Sequence, residues 1–266
     1  MNSSECSLTL GIWQDTCVPG DVAANLAAVS GAAATAAGRG VELLVFPECF
    51  LTGYFNSGGA EAVARKVDKN VINSLHGIAK TNAIALLVGL YELRPSGVHN
   101  AALLIGANGE PLATYRKRAL YGEWERTEFM PGKAPVLVEY RGIRIAVLIC
   151  FDLEFPELAR ECARNGADLI AVPTALMEPF GCVARHLVPT RAFENQVYVA
   201  YANRTGRESG IRYHGHSSIC GPDGNRLVSA KDSGPELLVA TVASSTVAVA
   251  RRGCCHVAEA ARLGLY

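Results

Sequence analysis

The sequence predicts an α/β protein built around a mixed β-sheet, and three features carry that reading. Short apolar runs recur, such as Ile145-Ala146-Val147-Leu148-Ile149, and read as strands buried on both faces. Segments with one apolar helical face alternate with several of these runs. Elsewhere two runs flank a tight turn signal, such as Asn108-Gly109, so hairpins interrupt any parallel arrangement.

The elements follow in order. Leu8 to Ile12 reads as the first strand. Asp21 is placed to cap a helix with Val22, Leu26, Val29 and Ala33 on one face, ending near Gly38 and Gly40. Val41 to Phe46 is a second buried strand. Val71, Ile72, Leu75 and Ile78 mark another helix, and Ile84 to Leu90 another strand. Ala101 to Ile105 and Pro111 to Tyr115 flank Asn108-Gly109; Val136 to Tyr140 and Ile143 to Ile149 flank Arg141-Gly142. A helix is expected from Pro156, which suits a first turn, to about Asn165. The strand Leu169 to Val172, a helix near Val183 to Asn195 and the strand Val197 to Ala202 come next. Ser217 to Cys220 and Arg226 to Ser229 flank Pro222-Asp223-Gly224, and Leu237 to Val242 is the final strand. With no evident linker, residues 1–266 are expected to form a single domain.

Composition bounds the function. Lys plus Arg and Asp plus Glu both number 25, for a formal net charge of zero, while 50% of residues are hydrophobic. That balance argues against a nucleic-acid binder or a polybasic membrane surface. The nine cysteines are odd in number and form no C-x-x-C pair, so they do not read as a disulfide framework. The reducing cytoplasm is the expected home. No secretory signal and no membrane-spanning run is expected.

Two strands end in reactive side chains. The run Val147-Leu148-Ile149 stops at Cys150, and Phe151-Asp152-Leu153-Glu154-Phe155-Pro156-Glu157 follows. Open α/β sheets place their chemistry at such carboxyl ends. Taken alone, the segment fits a buried structural cysteine equally well. Val45-Phe46-Pro47-Glu48 places a carboxylate directly after a second apolar run. Burial of a carboxylate disfavours its charged form, which suits a general base. A third stretch, Tyr115 to Gly132, is rich in charge and reads as a solvated loop, yet aromatic residues interleave it.

Together these three segments resemble the nitrilase, or carbon–nitrogen hydrolase, superfamily, over about Leu8 to Val242. That family uses a Glu-Lys-Cys triad. The resemblance places it on Glu48 in F-P-E, Lys117 in Y-R-K and Cys150 in I-C-F-D-L-E-F-P-E. A second glutamate falls on Glu125, eight positions beyond Lys117. Val172-Pro173-Thr174-Ala175 and Arg191-Ala192-Phe193-Glu194-Asn195 extend the match. The implied fold is a four-layer αββα sandwich, two mixed sheets face to face with helices outside. The implied chemistry is attack of Cys150 on an amide carbon, Glu48 acting as base, through a thioester. Lys117 and the backbone N–H of Phe151 would stabilise the oxyanion; Glu125 would hold Lys117 or position the substrate nitrogen.

Within the superfamily, Gly122-Glu123-Trp124-Glu125-Arg126 and Pro173-Thr174-Ala175-Leu176-Met177-Glu178 resemble the aliphatic amidase and 5-aminopentanamidase-like branch. The expected substrate is a small linear carboxamide, with ω-amino carboxamides among the candidates. N-Carbamoyl hydrolysis and nitrile hydrolysis are the alternatives. Tyr54, Trp124, Phe151, Thr174, Ala175 and Glu178 are the expected substrate contacts, with Glu178 either meeting a cationic group or facing solvent. Neither cofactor nor metal is expected: Cys254-Cys255-His256 lacks zinc spacing, and His214-x-His216 reads as a loop pair bonded to backbone. The tail from about 247 to 266 departs from the family's C-terminal pattern. That leaves the geometry of an expected homodimer or higher homo-oligomer open, and Cys254 and Cys255 are expected to be exposed and open to oxidation.

Overall fold

The computed structural model describes residues 6–56, 58–253 and 255–265. One six-stranded sheet contains β1 (Ser7–Gln14), β2 (Leu43–Val45), β3 (Ala85–Arg94), β4 (Gly97–Ile105) and β5 (Pro111–Arg116). The second contains β6 (Leu137–Tyr140), β7 (Ile143–Val147), β8 (Leu169–Thr174) and β9 (Tyr198–Asn203). A separate hairpin, β10 (Arg207–Glu208) with β11 (Ile211–Arg212), belongs to neither. β12 (Ser218–Cys220) and β13 (Arg226–Ser229) complete the second sheet, and β14 (Glu236–Ala243) completes the first by pairing antiparallel with β1.

The spatial orders are β14-β1-β2-β3-β4-β5 and β13-β12-β9-β8-β7-β6. In each sheet the middle is parallel (β1-β2-β3 and β7-β8-β9) and the flanking pairings are antiparallel, some of them hairpins and others, such as β1–β14, between segments distant in sequence. Leu8, Leu10, Ile12, Val45 and Leu87 of one sheet share a core with Ile145, Val147, Leu169 and Ala200 of the other. The opposite face of the first sheet, including Leu44, Leu86 and Val88, buries Val29 and Ala33 of α1 (Val22–Ala37). Outside the second sheet, Ala159 and Ala192, from the helices Pro156–Arg164 and Val188–Asn195, join the apolar cluster of Ile170 and Val199, so the four layers expected of the resemblance are present.

Local chemistry explains the helices. Asp21 caps α1 by accepting from Ala24 N at 3.0 Å, as the sequence predicts. α2 (Ala60–Ala64) is short and was not anticipated. Asp68 caps α3 (Lys69–Asn82), accepting from Asn70 N and Val71 N at 2.9 Å each. The charged stretch read as a loop instead contains α4 (Gly122–Glu128), and this helix turns Glu125 into the interior. α5 (Pro156–Arg164) begins on Pro156. The single helix expected over Val183 to Asn195 is a wide π-turn, Val183–Leu187, followed by α6 (Val188–Asn195). Pro189 has no N–H to donate back along the helix, which accounts for the change. The tail forms α7 (Ser244–Gly253) and α8 (His256–Arg262). Cys255 is half-buried rather than freely exposed, and Cys254 lies outside the described residues.

The parallel centres position the chemistry. β2 and β7 both end at sharp turns in which a cysteine adopts the left-handed region, Cys49 at φ 52 and Cys150 at φ 48. Such backbone costs about 1–3 kcal/mol per residue. Gly89 of β3 makes the first turn possible. A Cβ there would press on Cys49 N, Pro47 O and Glu48 C, all backbone atoms that cannot swing aside. Gly89→Ala should therefore cost about 1–3 kcal/mol by overpacking and also displace Glu48. Gly77→Ala, in α3 where a Cβ meets open space, is the control and should raise stability slightly. Thermal melts beside turnover check this: a Gly89→Ala enzyme with the control's melting point and full activity would refute it.

Candidate active site

Glu48, Lys117 and Glu125 are each at most 1% exposed, and they converge beneath the turn that carries Cys150. Lys117 reaches the site because Arg116 ends β5 and the next residue turns inward, its N–H donating to Asn100 O at 2.9 Å. Its ammonium donates to Glu48 Oε1 at 2.8 Å and to Glu125 Oε1 at 2.6 Å. Asn100 Nδ2 also donates to Glu48 Oε1, at 2.7 Å. Glu48 Oε2 has no hydrogen-bond partner among the described residues. One oxygen of the carboxylate is thus held, and the other is free to accept a proton.

Glu125 is held as firmly. Its Oε1 also accepts from the Tyr54 hydroxyl at 2.7 Å, and its Oε2 accepts from Tyr121 N at 2.6 Å. Burial pushes its pKa up, and Lys117 pulls against that shift. Burial disfavours the Lys117 ammonium, but the charges of Glu48 and then Glu125 outweigh this and keep the amine well above its ordinary range. The Cys150 thiol is likewise pushed well above its usual value, first by burial and then by Glu48, while Lys117 and the Ala175 backbone act in the opposite direction. The resting thiol is therefore neutral. It must lose its proton as it attacks, and the Glu48 oxygen is the available acceptor.

The Cys150 turn is built by Asp152. Its Oδ1 accepts from Arg118 N at 3.1 Å and Ala119 N at 2.7 Å. Its Oδ2 accepts from Ile149 N at 3.0 Å and from the Tyr115 hydroxyl at 2.8 Å. One carboxylate thereby ties the end of β7 in one sheet to the chain leaving β5 in the other. Cys150 and Phe151 open the short 3₁₀ turn Cys150–Glu154.

Cys150 lines a cavity of about 210 Å³. Tyr54, Tyr121, Phe151 and Phe180 give it aromatic walls, and Ala175, Leu176 and Met177 add aliphatic surface. Of the expected contacts, Tyr54, Phe151 and Ala175 thus line the cavity, and the other three do not. Trp124 packs behind Tyr54, with ring centres 5.5 Å apart. Thr174 turns its hydroxyl to Val172 O at 3.0 Å. Glu178 points away and accepts from His214 Nδ1 at 2.7 Å. The chain after β8 explains this last departure: Glu178 N donates to Arg212 O at 2.9 Å, and that pairing turns the side chain outward. His214 in turn bonds side chains, not the expected backbone partners, since Arg185 Nη1 donates to its Nε2 at 3.2 Å.

The carboxylate on the cavity wall is Glu154, four residues beyond Cys150. Sequence reasoning missed it, together with Asn100 and Tyr121. The only signal for Glu154 was its place on the same turn as Cys150. Among the described residues, no group of three or more His, Cys, Asp or Glu side chains is arranged to hold a metal ion, and no helix is long and apolar enough to cross a membrane.

A model of the carbon–nitrogen hydrolase family matches residues 9–252. The chain belongs to that family. A hydrolase encoded in the pqqF 5′ region of Pseudomonas protegens is 43% identical over 229 residues, 84% of this chain and 79% of that protein. An (R)-stereoselective amidase from Pseudomonas sp. is 34% identical over 212 residues, covering 79% of this chain and 76% of the relative. The crystal structure of an amidase from Nesterenkonia sp. superposes with a TM-score of 0.85 at 36% identity, over 97% of this chain and 96% of that one. A variant of the Nesterenkonia amidase carries the acetamide moiety of fluoroacetamide covalently on its active-site cysteine.

Two outcomes follow from the geometry. Glu48→Gln should lower kcat by about 10²–10⁴-fold, the usual worth of a positioned base. The same variant should slow alkylation of Cys150 by iodoacetamide, because the neutral thiol has lost its proton acceptor. Turnover near wild type would remove Glu48 from the chemistry. In the wild type, kcat/KM should show no descending limb below about pH 10, the ordinary lysine value, because Lys117 stays protonated beyond it. A limb below that pH would contradict the paired ammonium.

Proposed function

We propose that this carbon–nitrogen hydrolase cleaves a small linear carboxamide with a positively charged far end, giving a carboxylate and ammonia. The carrying observation is the buried Glu48-Lys117-Glu125 cluster, with one free carboxylate oxygen, behind a cysteine that lines a small aromatic cavity. In the proposed reaction Cys150 Sγ bonds to the amide carbon and its proton passes to Glu48. The oxyanion forms toward the Lys117 ammonium and the Phe151 backbone N–H. Glu48 returns the proton to nitrogen, the C–N bond breaks and ammonia leaves a thioester. Water then attacks, again giving a proton to Glu48, and the C–S bond breaks as the thiol is restored. Amidase relatives support this reading, including an omega-amidase of Escherichia coli 34% identical over 194 residues.

The charged end is supported by Glu154. Its carboxyl lines the cavity and receives no hydrogen bond among the described residues. Aromatic faces beside a free carboxylate make a suitable seat for an ammonium group. Glu154, not Glu178, is therefore the proposed partner of an ω-amino group. Exposed Phe155 and Phe193, on the neighbouring α5 and α6 segments, support the expected homo-oligomer. The free cysteines support the reducing cytoplasm as the compartment.

5-Aminopentanamide and hexanamide differ at the far end in charge but little in size. The wild type should favour the first by about tenfold or more in kcat/KM, the worth of about 1.4 kcal/mol. Glu154→Gln should collapse that ratio. Burial raises the Glu154 pKa, with Lys117 and Arg191 opposing. The carboxylate is lost as pH falls through the raised value, so the preference should fade at a pH above the ordinary glutamate value of about 4.3. Ureido and nitrile analogues are the comparison arms. Faster release of ammonia from either, or equal use of both amides, would overturn the reading.

A further inference from the structure

A second buried ion pair lies outside the cluster that does the chemistry. Arg204 and Glu208 are 0% and 4% exposed, and Arg204 Nη2 meets Glu208 Oε2 at 2.6 Å. Arg204 follows β9 directly, and Glu208 lies on the hairpin that neither sheet includes. The guanidinium also stacks 4.6 Å from the Tyr213 ring centre and donates to Cys17 Sγ at 3.0 Å. Its Nε and Nη1 have no hydrogen-bond partner among the described residues. Burying two ions is costly, and a pair left this incompletely satisfied is a poor source of stability, since packed apolar side chains often serve better.

The other contacts of Glu208 suggest what the pair is for. Its Oε1 accepts from Tyr54 N and Phe55 N at 3.0 Å each, and its Oε2 from the Tyr213 hydroxyl at 3.0 Å. The carboxylate therefore grips the turn that carries Tyr54, a residue 154 positions away in sequence. The turn is seated tightly on it: Gly53 has φ +81, and a Cβ there would lie 2.7 Å from Pro19 Cα and 3.1 Å from Glu208 Oε1. On the other side the Tyr91 hydroxyl donates to Tyr54 O at 2.6 Å. With its backbone held at both ends, Tyr54 presents its hydroxyl to Glu125 Oε1, the same oxygen that receives the Lys117 ammonium.

We propose that Glu208, backed by Arg204, is a positioning residue for the hydrolysis. It fixes the Tyr54 turn so that the tyrosine hydroxyl holds Glu125 against Lys117. The effect passes through one hydrogen bond to a group that already faces Lys117, Glu48 and Cys150. Loss of that donor removes support for the Glu125 anion, so its carboxyl should protonate at higher pH. The proposal rests on the catalytic assignment of the cluster, and it holds for whichever amide is turned over best.

The test is a double-mutant cycle on the full-length enzyme with Glu208→Gln and Tyr54→Phe. Rates are normalised to active sites by titrating Cys150 with an acylating reagent. Each single variant should lower kcat by about ten- to a hundredfold, the range for misplacement within a site, and shift the acid limb of the pH–rate profile upward. In the Tyr54→Phe background, Glu208→Gln should then cost several-fold less than it does alone. Multiplying losses with an unmoved acid limb would show a role in stability only and would overturn the proposal. If Glu208→Gln does not fold, Arg204→Lys takes its place in the cycle, leaving the carboxylate and its grip on the turn but loosening its backing. It should produce the same shift in smaller degree, and an additive result overturns the proposal equally. A wild type that turns over no amide would instead defeat the functional reading, a different failure with a different signature.

Discussion

The constraint on which the rest depends is the buried ammonium of Lys117 between two carboxylates. Removing such a charge from water costs several kcal/mol, and the attraction of its partners offsets this only when the geometry is close and other hydrogen bonds are satisfied. Distances of 2.6 and 2.8 Å meet the first condition. Asn100, Tyr54 and the Tyr121 N–H meet the second by occupying three of the remaining acceptor positions. What is left over is one oxygen of Glu48. In a site where almost every polar atom is used, the unused one is where a proton can go.

That constraint explains why the two sheets are joined as they are. Glu48 follows β2 of the first sheet, and Cys150 follows β7 of the second. Their reacting atoms can be registered only if the two ends are fixed to each other. Asp152 does this with four acceptor contacts that reach from Ile149 to Tyr115, Arg118 and Ala119. Glu48 N contributes a second tie by donating to Thr174 O at 3.3 Å, from β2's end to β8's. The core between the sheets supplies the stability, and these polar ties supply the register. A site that stabilises an oxyanion with fixed donors needs both, because donors that must move at the moment of reaction lose their advantage.

Apart from the β10–β11 hairpin, the strands and their order along the chain were legible in the sequence. Lys117, in a stretch that reads as a solvated loop, came only through resemblance, whereas Glu48 and Cys150 at the ends of β2 and β7 were conspicuous. Each of these two sits at the end of an apolar run, where periodicity stops and a polar side chain stands out. Glu125 was legible only through resemblance, because its local setting, Gly-Glu-Trp-Glu-Arg-Thr-Glu, looks solvated; α4 buries one of its three glutamates. Of the two readings of Glu178, facing solvent is the one found, and the sequence left the choice open for a related reason. The chain after β8 pairs with the neighbourhood of β11, and nothing local signals a contact made across 34 residues. Glu154, Asn100, Arg204 and Glu208 share the opposite problem. Their residue types are ordinary for a surface, and only the tertiary fold buries three of them and sets the half-buried Glu154 in the cavity wall.

A buried polar residue of this kind reads as an accident in the sequence and as a cost in the structure. The cost is informative. Apolar burial is non-directional, so it can assemble the sandwich without fixing where a hydroxyl or carboxyl points. Hydrogen bonds to charged groups are directional and short. Glu208 therefore adds to the Tyr54 turn something its ring packing against Trp124 and Tyr213 cannot, namely a fixed height and angle for the backbone. The same logic separates Glu154 from Glu208. Glu208 has its acceptor positions filled by the protein, so it acts on the fold. Glu154 has no such partner and faces the cavity, so any cation that enters meets it directly.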